Sequence, residues 1–81
     1  MPGGGRVYLS LETRTAEARL EDHSEGGLRI VTGAKLESGE ILYCAVPSLA
    51  VCTRARVVHV RRGALSRTVG LEFMASLYDL T

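Results

Sequence analysis

In run after run along this chain, apolar residues recur at every second position, and that period of two constrains the fold more than any other feature. Val7, Leu9 and Leu11 alternate with Tyr8, Ser10 and Glu12, the pattern of a half-buried strand. Ala16, Ala18 and Leu20 repeat it against Thr15, Glu17, Arg19 and Glu21, and Leu28 to Thr32 form a third short strand. Gly33 and the polar Lys35 to Gly39 stretch read as a loop. Ile41 to Val46 is wholly apolar, which predicts a strand covered on both faces or lying against a neighbouring element. After a turn at Pro47, the next strand runs from Val51 to Arg61 with a slip in phase. Thr53, Ala55 and Val57 share one face, whereas Val58 and Val60 belong to the other, so a β-bulge is expected near Val57 and Val58. Arg61 to Ala64 supply a further turn, and Val69, Leu71 and Phe73 complete a last strand around Gly70.

Six strands with short links and no βαβ unit predict an all-β fold, a small antiparallel barrel or sandwich, because closure removes the exposed edges of so small a sheet. Residues 1–5 read as a flexible leader, residues 6–74 as the barrel and residues 75–81 as a tail. In the tail, Met74, Leu77, Tyr78 and Leu80 share one helical face, too short for an independent helix and expected to dock on the barrel rim or another chain. A chain of 81 residues is one domain that buries only about two-thirds of its unfolded surface, so a large catalytic cleft is not expected. No apolar run approaches the roughly 20 residues that span a bilayer, and the start MPGGGR lacks the apolar stretch of a secretory signal. A cytoplasmic protein with no membrane insertion is expected.

Cys44 and Cys52 flank the Pro47 turn, and the register decides their relation. If Val46 pairs with Val51, the two fall on opposite faces of the ribbon; if the turn centres on Ser48, they face each other and can cross-link. Two reduced core thiols are the expectation for a cytosolic chain, and two cysteines without further partners make a poor zinc site, so no metal is expected.

The run Asp22-His23-Ser24-Glu25-Gly26-Gly27 sets an acceptor, a hydroxyl and glycines at D-x-S-x-x-G spacing. Asp and Ser bond nearby backbone amides and so favour a turn. Glycine takes positive φ at little cost and lets a planar or anionic ligand approach the backbone.

With this turn inside a six-strand pattern, the chain resembles the PilZ domain family from about Val7 to Phe73. The resemblance lies in the order ARLEDHSEGGLRI, ILYCAVP, TRARVVHVRRG and TVGLEF. It implies a six-stranded split-type barrel that acts as a bacterial receptor for the second messenger cyclic di-GMP. Family receptors carry R-x-x-x-R ahead of the first strand and D/N-x-S-x-x-G at the second turn. Asp22, Ser24 and Gly27 match the second motif and are implied to contact guanine and ribose. The arginine pair is missing: Arg6 has Ser10 four residues on and no arginine before it, so Arg6 alone is left to hold a phosphate. Losing one or two charge-assisted contacts of roughly 1.5–3 kcal/mol each weakens binding by one to several powers of ten.

The expected function is therefore a PilZ-like signalling module with an incomplete cyclic di-GMP site, its binding weak or dependent on substitute arginines such as Arg14, Arg19 or Arg29, and no resident cofactor. The alternative is a degenerate adaptor or homo-oligomer, favoured by Ile41, Tyr43 and the apolar tail. Asp22, His23 and Ser24 are adjacent, and consecutive residues do not converge as a catalytic triad, so no enzyme is expected. Nor is a nucleic-acid partner, because the four aromatics are scattered and the net charge is +1. That charge is unevenly spread. Residues 41–81 hold Arg54, Arg56, Arg61, Arg62 and Arg67 against only Glu72 and Asp79.

Overall fold

The computed structural model describes residues 5–74. Six strands form a closed antiparallel barrel: β1 (Arg6–Ser10), β2 (Thr15–Ser24), β3 (Gly27–Thr32), β4 (Ile41–Val46), β5 (Val51–Arg62) and β6 (Arg67–Phe73). Around the barrel the order is β1-β2-β3-β6-β5-β4, and β4 pairs back onto β1 through Tyr8↔Ala45, Leu9↔Cys44 and Ser10↔Tyr43. The expectations for residues 1–4 of the leader and for the 75–81 tail lie outside the described residues.

The alternation that defined the strands also fills the interior. Val7 and Leu9 from β1, Ile30 from β3, Leu42 and Val46 from β4, Val57 from β5 and Val69 from β6 are all buried to 2% exposure or less. Leu36, from the stretch read as a polar loop, also folds into this core. Thr32 is the one buried polar side chain among the described residues. Its hydroxyl donates to the Glu17 carbonyl at 2.8 Å and accepts from the Ala34 N–H at 3.0 Å, so it is satisfied while ending β3.

β4 departs from expectation. Its apolar run predicts cover on both faces or by a neighbouring element, but only Leu42, Cys44 and Val46 point inward, and Ile41 and Tyr43 are exposed. A closed barrel has one filled interior, so an apolar run longer than the alternation requires leaves half its residues outside. The β4–β5 link is a single 3₁₀ turn, Pro47–Leu49, followed by Ala50 in the left-handed region at φ 55. Its register pairs Val46 with Val51, which sets Cys44 opposite Thr53 and Ala45 opposite Cys52. Both cysteines are free; Cys44 is buried and Cys52 is exposed, so only one of the two expected core thiols lies in the core. Burial pushes the Cys44 thiol above its ordinary pKa, only partly offset by a backbone hydrogen bond at Thr53.

Two bulges interrupt the ladders. The one in β5 falls between Val57 and His59, where the phase slip placed it. The other, between Leu20 and Asp22 in β2, lies among polar residues whose pattern carries no phase.

Candidate functional site

The run read as one turn is mostly strand. β2 continues through Asp22, His23 and Ser24, and only Glu25 and Gly26 form the connection to β3. Strand alternation sends His23, which pairs with Leu28, to the side of the ribbon opposite Asp22 and Ser24. Neither Gly26 nor Gly27 uses the positive φ open to glycine; among the described glycines that conformation belongs to Gly39.

Gly27 has a different reason to be glycine. A Cβ there would overlap the Leu71 carbonyl oxygen, because β3 starts tight against β6. The ladder is extended by the Phe73 N–H donating to the Gly26 carbonyl at 2.8 Å. Gly27 is thus required by packing between two backbones, whatever else the site does.

The side chains around it are held by short polar contacts. The His23 N–H donates to Asp22 Oδ1 at 2.9 Å, and Arg29 Nη2 donates to Asp22 Oδ2 at 3.2 Å. Arg29 Nε also meets Glu21 Oε1 at 3.1 Å, so one guanidinium bridges two carboxylates presented by the β2 bulge. The Gly26 N–H donates to Ser24 Oγ at 3.3 Å, which closes the turn. These groups are solvent-exposed, and such ion pairs contribute less than about 1 kcal/mol each to stability.

Asp22, Ser24 and Gly27 line one shallow depression of ≈ 310 Å³ on the outer surface, with Arg29, Val58, Gly70 and Glu72 among its other walls. Its geometry follows from register. Asp22 pairs with Arg29, Arg29 with Gly70, and Gly70 with His59, so these four residues form one row across β2, β3, β6 and β5. A bulge stands at each end of the row. Gly70 leaves a gap in it, since a Cβ there would find only ordinary contacts, His59 Cβ at 3.4 Å and Val58 Cγ2 at 3.7 Å. The depression is a trough with a carboxylate and a guanidinium at one end, a bare backbone floor, and the half-exposed Val58 at the other.

Arg6 lies elsewhere. It is opposite Arg19 on the β1–β2 ladder, bonds Glu17 Oε1 at 3.2 Å, and lines a separate recess with Gly5, Arg19 and Gly33. The structure therefore brings Asp22, Ser24 and Gly27 together and leaves Arg6 out of their depression. Sequence reasoning missed Arg29 as the partner of Asp22, and missed Gly70 and Val58 as floor and wall. Arg54 and Arg56 are exposed on β5 between β4 and β6, where Arg56 meets Glu72 at 3.4 Å.

Electrostatically, Glu21, Asp22, Glu25 and Glu72 outnumber Arg29 and Arg56 around the trough. That balance suits hydrogen-bond donors such as the N–H edge of a purine and opposes a polyanion unless further cations arrive. No three His, Cys, Asp or Glu side chains among the described residues are grouped to hold a metal ion.

A search of curated proteins gave no match to this chain. The PilZ domain family model matches residues 3–78, nearly the whole length and every strand of the barrel. PilZ domains are binding or adaptor modules known for cyclic di-GMP signalling, and on this match over the six-stranded barrel the chain belongs to the PilZ domain family.

Proposed function

We propose that this chain is a signalling module that binds cyclic di-GMP weakly through the outer trough over β2, β3 and β6. The observation that carries this reading is the row Asp22, Arg29, Gly70, His59, in which a carboxylate acceptor and its guanidinium partner share one row with the bare backbone of Gly70. A guanine there would donate to Asp22, whose carboxylate oxygens retain free lone pairs beyond those used by His23 and Arg29. Ser24 would offer its hydroxyl from the same side of β2. Arg29 would be the cation nearest the phosphates, but it is shared with Glu21 and Asp22. A site with one compromised guanidinium in place of a free pair binds a diphosphate weakly.

Calorimetry tests this. Heats that fit one site and vanish in Asp22→Ala and Ser24→Ala support the reading, and the absence of heat at high ligand concentration contradicts it.

A second reading, a protein-interaction or self-association module, is favoured by a different face. Tyr8 and Tyr43 are 44% and 56% exposed and flank the small Ala45 on the surface of β1 and β4, with Ile41 also exposed. Together with Ala45 and Cys52 the two tyrosines line a groove of ≈ 490 Å³. Light scattering separates the readings. A dimeric mass that Tyr43→Ser converts to a monomer supports self-association, and a monomer at high concentration contradicts it.

A further inference from the structure

The β5–β6 hairpin extends past its neighbours. β5 pairs with β4 only through Arg56, so residues from His59 to Arg62 are laddered to β6 alone. At the same end β3 finishes at Thr32, opposite Arg67, and the turn from Gly63 to Ser66 lies beyond it, closed by the Gly63 N–H donating to the Ser66 carbonyl at 2.7 Å. The apex carries Leu65, which is 97% exposed.

Around that leucine stand three arginines. Arg62 pairs directly with Arg67, and Arg61 with Thr68, so alternation places guanidiniums on both faces of the ribbon. None of the three has a carboxylate within ion-pair distance among the described residues; Arg67 instead donates to the Gly33 carbonyl at 3.5 Å. Like charges directly opposite each other destabilise a strand pair, and a wholly exposed leucine adds nothing to the fold. Both features make sense against a surface that is anionic outside and apolar within.

We propose that the β5–β6 hairpin is a docking prong for anionic lipid bilayers. Leu65 enters the boundary between headgroups and acyl chains while Arg61, Arg62 and Arg67 meet lipid phosphates. A nucleic acid would satisfy the arginines but would leave Leu65 in water, and the prong offers no aromatic side chain for stacking bases. The proposal does not rest on cyclic di-GMP binding: Leu65 lies beyond Thr32 and the paired Arg62 and Arg67 level with it, whereas Asp22, Ser24 and Gly27 stand at the other end of β3.

The chain has no tryptophan, so Leu65→Trp gives a fluorophore at the apex alone. Its emission is expected to shift to the blue with phosphatidylcholine–phosphatidylglycerol vesicles at low ionic strength and to stay put with phosphatidylcholine alone. The unsubstituted protein is expected to sediment with the anionic vesicles. Leu65→Ser should weaken that binding about tenfold, and Arg61→Gln with Arg62→Gln about fivefold per arginine. Circular dichroism controls for folding, which these exposed positions leave intact. Protein that stays in the supernatant, equal binding to neutral vesicles, or retention on an RNA oligonucleotide with no vesicle-dependent shift would each overturn the proposal.

Discussion

Gly27 and Gly70 sit on adjacent strands of one ladder, at the edge and on the floor of the same trough, and they are glycines for different reasons. At Gly27 a side chain would strike the Leu71 carbonyl, so the fold itself excludes one. At Gly70 a side chain would meet only ordinary contacts, so the fold does not ask for glycine there. What glycine does at position 70 is keep a gap open between Arg29 and His59. The motif glycine is thus explained by packing, and Gly70, which packing does not require, is the one that the proposed binding mode uses. Cys44 and Cys52 repeat the contrast: the same side chain, one held in the core and one on the outer surface.

The largest effect should come from Gly27→Ala. Two backbones must separate to admit the methyl group, and a loss of about 3 kcal/mol or more is expected in chemical denaturation. A loss below about 0.5 kcal/mol, the range of a neutral surface change, would show that the ladder yields and break the contrast.

Next is Gly70→Leu, which fills the gap. Cyclic di-GMP affinity should fall more than tenfold while stability changes by less than about 1 kcal/mol, a split that a purely structural glycine would not produce. Calorimetry and denaturation on the same sample read both.

Pro2→Arg would create R-x-x-x-R with Arg6. A gain of about tenfold in affinity is expected, the value of one added charge-assisted contact; an unchanged affinity would mean that the missing pair is not what weakens the site.

The cysteines give a pH test. Burial raises the folded-state pKa of Cys44, so below the unfolded thiol's pKa of about 8.5 both states hold the proton and stability is complete. Above it the unfolded chain ionises first, and stability should fall with a slope of at most about 1.4 kcal/mol per pH unit until the folded thiol also ionises. Urea midpoints across the alkaline range read this, and the Cys44 part of the slope should disappear in Cys44→Ala. In the native protein, a thiol reagent should label Cys52 quickly and Cys44 only as the barrel opens.

The smallest effect is expected from Gly26→Ala, where an added Cβ meets nothing within 4 Å. Stability should move by less than about 0.5 kcal/mol.

Much of the barrel was legible in the sequence because strand alternation is a local signal. Val57 and Val58 reported their bulge by a change of phase, and the pairing of Val46 with Val51 was one of two registers set out for the cysteines. The bulge at Glu21 was not legible, since residues 21–26 are exposed and have no apolar phase to shift. Leu36 gave no sign of burial because a lone leucine in a polar loop has no period. The trough was half legible. Asp22, Ser24 and Gly27 stand close in sequence, whereas Arg29 meets Asp22 through the bulged β2–β3 register, and Gly70 and Val58 arrive only through the β3–β6 and β5–β6 ladders, which periodicity does not register.

The central claim, that cyclic di-GMP docks on the Asp22–Arg29–Gly70 row, is tested most directly by following backbone amide resonances during a titration with cyclic di-GMP. The account predicts saturable shifts centred on Ser24, Gly26, Arg29 and Gly70, lost in Asp22→Ala. An absence of shifts at millimolar ligand, or shifts confined to the Tyr8 and Tyr43 face, would contradict it.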